Sequence, residues 1–414
     1  MKIWVVEIGE PLPVEENVRL HRYGVFTKYL AQKGVDITWW TSTFSHAPKK
    51  NFKNQNCREN IDGVNINFIY GKGYRKNISF ARIFHQRTFA KNFLKSAKNE
   101  PRPDLIICNL PTIENLRAVY TYSKQNNVPY IIDVRDAWPD ELIDLFPSIL
   151  KPMVKLLFLG TFLKMKTVFK NSMGVMGSSG NILDYGLNFT GRKKNENDHL
   201  FYHGYSSQKP NQAELAKANQ FWDKLGIKKE IFTACFFGTI GKFFNFDTLI
   251  KAAEILEKEY EIQIVICGDG SQLKECQHKA KNIKSLFFPG WVDFPKIWAL
   301  MERSDFGIAP YVSDSNMSFP NKPFEYFAGG LPIISSIQGE LKEILETNKC
   351  GYTYYDTDVE KLCEIFRKVI VNKEETAAMS KRARKLFEDN YTHEKVFESA
   401  YSYLKTIIAK IKGK

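Results

Sequence analysis

The residues with the clearest chemistry lie in Ser318–Ile334, SFPNKPFEYFAGGLPII. The order is a polar turn, a proline-started helix, a double-glycine stop and an apolar strand. Pro323 suits a first helical turn, where its missing N–H was never needed. Gly329 and Gly330 suit a helix end with positive φ. This places Glu325 in the first turn, near a terminus whose unpaired N–H groups and partial positive charge attract phosphate. Lys322 adds a full charge there. A carboxylate beside a phosphate site has a common use, gripping the sugar hydroxyls of a nucleotide. The same residues also fit a plainer role, with Glu325 complementing the helix dipole and Lys322 a solvated surface charge.

Other loops carry related signals. In Phe236–Thr248, FFGTIGKFFNFDT, Gly238 and Gly241 let backbone approach a ligand, and Lys242 offers an ammonium to a diphosphate. Ile264–Ser271, IVICGDGS, is a strand running into a glycine turn, without the spacing of a dinucleotide fingerprint. In the first half, Tyr130–Leu142 reads YIIDVRDAWPDEL, with Asp133, Arg135, Asp136 and Trp138 just beyond a strand end, where catalytic groups belong. Arg135, always protonated, is no base. A bracing Arg135–Asp136 pair is the structural alternative.

P-x-K-x-x-E-Y-x-A-x-G-x-P-I-I is matched by Pro320, Lys322, Glu325, Tyr326, Ala328, Gly330, Pro332, Ile333 and Ile334. It resembles the donor-site signature of glycosyltransferase family 4, nucleotide-sugar-dependent enzymes of the GT-B fold. The resemblance implies an α/β chain of two Rossmann-like, doubly wound domains facing a central cleft. It implies that Gly238, Gly241 and Lys242 meet the donor diphosphate, that Gly268, Asp269 and Gly270 form the nucleotide-side loop, and that Trp291 and Val292 follow the strand where relatives bind the base. Glu325 matches the second of two family glutamates, and Met317 stands at the first. D-x-R-D-x-W-P resembles a bacterial surface-polysaccharide branch, in which Arg135 stands where other members carry a histidine. Asp136 would then orient or deprotonate an acceptor hydroxyl. Gly9–Pro13, with Arg19, His21, Arg22 and Gly24, resembles the first acceptor-side loop, which brings Glu10 to the acceptor. Trp39–His46 resembles the same branch, with either Trp39 or Trp40 also needed for the core.

The elements that must position these residues follow from hydrophobic pattern. Strands are expected at Lys2–Ile8, Val35–Thr41, Val64–Tyr70, Asp104–Cys108 and Tyr130–Val134, with a helix over Val18–Lys33. A polar, glycine-containing stretch at Asn188–Lys209 reads as a linker. The pattern restarts with strands at Ile231–Phe237, Ile262–Cys267, Ser285–Phe288, Phe306–Pro310, Leu331–Ser335 and Gly351–Tyr354. Strands separated by helices imply two parallel sheets. The expected domains are 1–195 for the acceptor and 205–390 for the nucleotide-sugar, with a helix at 391–414 crossing back.

The 414 residues allow two or three domains with substantial cores. MKIWVVEIGEPLP does not read as a signal peptide, and no apolar run nears a membrane span. Seven cysteines without CxxC spacing point to buried thiols in a reducing cytoplasm. The net charge of +13 is uneven: residues 1–200 hold 29 Lys+Arg and 18 Asp+Glu (+11), the remainder 30 and 28 (+2). The first half therefore expects an acidic partner. Lys72–Lys98 has eight Lys/Arg and no acid, with Arg87, Lys91, Lys95 and Lys98 on one helical stripe and Phe80, Phe84, Phe93 and Leu94 elsewhere. Lys151–Lys170 pairs Leu156, Leu157, Phe158, Phe162 and Leu163 with five lysines. Both segments suit an anionic inner-membrane surface, or are ordinary amphipathic helices. No metal site is expected: Asp356 and Asp358 form a DxD, but Asp358 sits where a helix cap belongs.

The expectation is a cytoplasmic, peripherally membrane-associated, retaining glycosyltransferase in surface polysaccharide biosynthesis. It would use a nucleotide-sugar, a UDP-sugar foremost, as substrate with no cofactor, and a saccharide or lipid-diphosphate-linked acceptor. A nucleotide-sugar epimerase of the same fold is the alternative. A nucleic-acid-binding protein is a weaker one, for want of a recognisable motif.

Overall fold

β-branched and aromatic runs, buried on both faces, form the strands of two parallel sheets. The computed structural model describes residues 1–15, 18–144, 146–312 and 318–413. Met317 lies outside the described residues. The chain divides into two units, Met1–Tyr202 with Phe397–Lys414, and His203–Val396.

The first unit contains β1 (Lys2–Val6), β2 (Asp36–Ser42), β3 (Phe44–Ser45), β4 (Lys50–Asn51), β5 (Cys57–Ile61), β6 (Val64–Ile69), β7 (Leu105–Leu110), β8 (Tyr130–Val134), β9 (Gly174–Gly177) and β10 (His199–Leu200). Their sheet runs β10-β9-β8-β7-β1-β2-β6-β5, while β3 and β4 pair separately. Among the described residues only β5 is antiparallel to its neighbour in that sheet. The order reverses between β1 and β7, so loops after these strands diverge and leave a crevice at their carboxyl ends. The second unit contains β11 (Phe232–Phe237), β12 (Ile262–Cys267), β13 (Leu286–Gly290), β14 (Phe306–Ala309), β15 (Ile333–Ser335) and β16 (Gly351–Thr353), ordered β13-β12-β11-β14-β15-β16. Its reversal falls between β11 and β14.

Trp4, Trp40, Phe93 and Tyr122 interlock in the first core, with the Trp4–Trp40 and Trp40–Phe93 ring centroids both 5.1 Å apart. Trp39 and Trp40 are each 1% exposed, so both serve the core.

Several expectations shift. The first helix begins at Arg22 rather than Val18, because the Glu10 carboxylate accepts from Tyr23 N and Gly24 N and fixes the first turn there. The basic segment at Lys151–Lys170 is two helices, Lys151–Leu157 and Leu159–Lys170. The stretch expected as a linker is partly built into the first unit. Asp198 pairs with Arg192 and accepts from Val175 N, which sets β10 against β9 and carries that unit past residue 195. The return to the first unit falls at Phe397, inside the helix His393–Lys412, not at 391.

Candidate active site

In the second unit, glycine turns bring three strand-end loops together. Gly238 N donates to the Cys267 carbonyl at 2.9 Å, and Gly268 N to the Gly290 carbonyl at 2.8 Å. Ile240 N reaches the Asp269 carbonyl at 2.9 Å. Gly238 and Gly268 have φ of +145° and +142°, and a Cβ on Gly268 would collide with the Gly238 carbonyl. Both positions require glycine. Gly241 does not: its φ is ordinary and a Cβ there would meet nothing nearer than 3.8 Å.

Lys322 enters this loop cluster from the helix Asn321–Ala328. A Cβ on Gly238 would lie 2.5 Å from Lys322 Nζ. The ammonium sits over the Phe236 and Phe244 rings, at 5.2 and 4.8 Å from their centroids. Among the described residues Lys322 has no ion-pair partner. Burial lowers its pKa, and the Glu325 charge opposes that shift. The solvated-surface alternative for Lys322 is thus wrong. Phe236 and Phe244 hold the ammonium beside the loop.

Two details of the helix differ from expectation. Pro320 is the cap residue, so Glu325 lies in the second turn, and the first turn holds no acid. Gly329 keeps a right-handed conformation, and Gly330 alone, at φ +74°, ends the helix.

Lys242 is exposed and lines a separate cavity of about 240 Å³ with Asp247, Gln272, Glu275 and Lys279. The structure therefore places Lys322, not Lys242, against Gly238. Phe244 and Asn245 are occupied structurally: Phe244 bridges to Tyr311, and Asn245 caps the helix Phe246–Leu256. Asp269 turns its carboxylate back to Gly270 N at 2.7 Å. Gly270 stands beside Ile240, Trp291 is exposed, and Val292 is buried.

In the first unit, a polar cavity of about 170 Å³ lies at the β1/β7 reversal. Its lining includes Glu7, Glu10, Arg135 and Asp136 together with His46, Tyr74, Arg82 and His85. Arg135 pairs with Glu10 at 2.6 Å, not with Asp136, which overturns the bracing-pair alternative. Glu10, 2% exposed, has both oxygens committed, one to Arg135 and one to the helix N–H groups of Tyr23 and Gly24. This makes Glu10 a positioning residue rather than a free catalytic group. Asp133 belongs to the core, held by Arg22 and by Tyr23 Oη at 2.9 Å.

Asp136 remains available. Its carboxylate makes no hydrogen bond or ion pair among the described residues and lines the cavity. Neighbouring protein atoms raise its pKa, against the lowering charges of Arg135, Arg22 and Arg82. A raised carboxylate pKa makes a better proton acceptor at neutral pH.

Glu7 was not singled out in the sequence. It is 1% exposed, its Oε2 has no partner, and burial reinforced by Glu10 pushes its pKa to about 8. Asn109 Oδ1, also on the cavity, is likewise unpartnered. An acid at the carboxyl end of the first strand was the available signal. No signal marked Tyr74 or His85, which reach the cavity only by packing. Among the described residues, no cluster of three or more His, Cys, Asp or Glu could hold a metal ion. Asp358 does cap its helix, accepting from Lys361 N at 2.8 Å.

Residues 217–386 match the family described as glycosyl transferases group 1. No curated protein matches the chain in sequence. Among solved structures, sucrose-phosphate synthase from Thermosynechococcus elongatus aligns with TM-score 0.75 at 14% identity, covering 99% of both chains. HepE from Anabaena in complex with UDP aligns with TM-score 0.66 at 14% identity, covering 98% of this chain and all of that one. The catalytic domain of starch synthase IV from Arabidopsis thaliana, bound to ADP and acarbose, aligns with TM-score 0.69 at 12% identity, over 98% and 99%. These likenesses give the fold, and the family match lies on the unit that carries the Lys322 site. The chain is a glycosyltransferase of the GT-B fold, with a glycosyl transferases group 1 domain in its second unit.

Proposed function

We propose that this protein is a retaining glycosyltransferase that moves a sugar from a UDP-sugar to a lipid-linked saccharide in surface polysaccharide biosynthesis. The observation that carries the donor reading is Lys322, an ammonium without an ion-pair partner among the described residues, beside a glycine loop in the group 1 domain. A departing diphosphate would supply the missing counter-charge, the electrostatic task on which such transfers depend. HepE, solved with UDP and with UDP-glucose, supports uridine as the nucleotide. Lys322 would meet the diphosphate charge without a divalent cation. Glu325 would hold the ribose. Asp136 would orient or deprotonate the acceptor hydroxyl, with Glu10 holding Arg135 in place.

A membrane-surface location suits the first unit. Phe80 and Phe84 are exposed on the helix that begins the exposed basic stripe of Arg87, Lys91, Lys95 and Lys98, and Leu156, Leu157 and Leu163 are exposed on the lysine-bearing helices Lys151–Leu157 and Leu159–Lys170. Large exposed apolar groups rimmed by cations match an anionic lipid surface. Among the described residues, no helix is long and apolar enough to cross a membrane.

A panel of UDP-, GDP- and deoxysugar donors, screened by thermal protection and then by sugar transfer in excess EDTA, tests the function. Protection by UDP-sugars with EDTA-resistant transfer is expected. Turnover of the nucleotide-sugar to an epimer with no acceptor present would overturn it.

A further inference from the structure

Beside the polar cavity of the first unit lies an apolar one of about 460 Å³. Its lining includes Ile78, Phe80, Ile83, Ile113, Trp138 and Phe158, and its size falls within the range of small-molecule sites. The two cavities share Arg82, Gln86 and Pro111 as a common wall. Phe80 is 81% exposed and Ile78 64%, so the groove opens to solvent with its apolar groups unpartnered.

Arg82 is the cation on the shared wall, and Lys49 stands against His46 and Tyr74 of the polar cavity. Lys49 Nζ lies 3.2 Å from His46 Nδ1 and 5.1 Å from the Tyr74 ring centroid. The Arg82 guanidinium stands 5.8 Å from the same ring. His85 backs the ring at 5.5 Å, with Nδ1 buried and unpartnered. Among the described residues neither Lys49 nor Arg82 has a carboxylate partner, and the Arg82 guanidinium donates to the Asn77 carbonyl. Burial and then the nearby cations push both histidines down to about 4. Half-buried cations with no carboxylate in ion-pair reach offer charge-assisted hydrogen bonds to an anion.

We propose that the two cavities form one acceptor site for a diphosphate ester of a long aliphatic alcohol. The chain lies in the apolar groove, the diphosphate on Lys49 and Arg82, and the attached sugar toward Asp136. The inference rests on the lipid-linked reading above and gives that acceptor a place. A flat bilayer would be met by the exposed stripe of Arg87, Lys91, Lys95 and Lys98. It would not require half-buried cations at the mouth of a groove.

The test uses the full chain without donor, titrated calorimetrically with farnesyl diphosphate, farnesol and inorganic pyrophosphate. Farnesyl diphosphate should bind about tenfold or more tightly than either fragment. Combining Lys49→Gln with Arg82→Gln should weaken it about 10–100-fold and leave farnesol unchanged. Ile83→Asn should weaken both prenyl ligands. Unchanged UDP affinity and melting temperature certify the fold of each variant. Pyrophosphate binding as tightly as farnesyl diphosphate would overturn the proposal. So would variants that lose flotation with phosphatidylglycerol vesicles yet keep farnesyl diphosphate affinity, because the groove would then be a bilayer contact. A protein that binds UDP and transfers sugar but ignores farnesyl diphosphate refutes this inference alone. One that fails to bind any nucleotide refutes the function proposed above.

Discussion

Replacing Lys322 with methionine should separate stability from donor binding. Methionine keeps most of the stem that packs on Phe236 and Phe244 but removes the charge. In the ligand-free protein that charge is a liability: burial lowers its pKa, and no ion-pair partner lies among the described residues. The cation–π contacts return only about 0.5–2 kcal/mol, so the ligand-free melting temperature should hold or rise. With UDP bound, an ammonium about 4 Å from phosphate at an effective dielectric near 20 gains about 4 kcal/mol of Coulomb energy. After desolvation a charge-assisted hydrogen bond nets about 1.5–3 kcal/mol. UDP affinity should therefore fall about 10–150-fold. Calorimetry with UDP and with uridine reads the effect, and uridine, lacking phosphate, should bind as before. Unchanged UDP affinity would refute the diphosphate assignment. Equal losses for UDP and uridine would show that Lys322 acts through packing alone.

Asp136→Asn should lower turnover about 10²–10⁴-fold with melting temperature and UDP affinity unchanged, since no hydrogen bond or ion pair of its carboxylate is lost. Steady-state kinetics beside a melting curve decides it. Glu10→Ala should behave oppositely. It strips the partner from half-buried Arg135 and from the helix N–H groups of Tyr23 and Gly24, and should cost about 3–5 kcal/mol in denaturant unfolding. Glu7 predicts a pH effect. Its pKa rises from 4.5 to about 8, so the folded state retains a proton that the unfolded chain has released. Its contribution to stability is full below 4.5 and lost as pH climbs toward 8. The melting temperature of Glu7→Gln minus that of the unaltered chain should thus grow across this window and level off above it. A difference that is flat with pH would remove the perturbed carboxyl. His46 and His85 act with the reverse sign but cancel in that difference.

The sequence by itself determined the parallel sheets and most of the donor loops. Period and length mark a strand wherever both faces are buried, and Tyr130–Val134 and Ile262–Cys267 occupy their expected bounds. Gly238 and Gly268 were legible because close backbone approach admits only glycine. Short strands such as β5 and β10 were not, because they are polar and are held by tertiary pairing rather than by their own pattern. Tertiary structure alone decided which partner each charge takes. Arg135 and Asp136 are adjacent in sequence, yet Arg135 reaches back 125 residues to Glu10 and leaves Asp136 to the cavity. From sequence Lys322 fitted a phosphate site and a surface charge equally, and the ammonium's place over Phe236 and Phe244, some 80 residues earlier, removed the surface reading. Glu7 directly follows the apolar strand β1, whose sequence gives no hint of a raised pKa. That shift needs the burial and the neighbouring Glu10 that folding supplies. Local pattern fixes elements because backbone geometry is local. The ionisation of a buried group depends on whatever the fold sets within a few ångströms of it, and those neighbours come from distant parts of the chain.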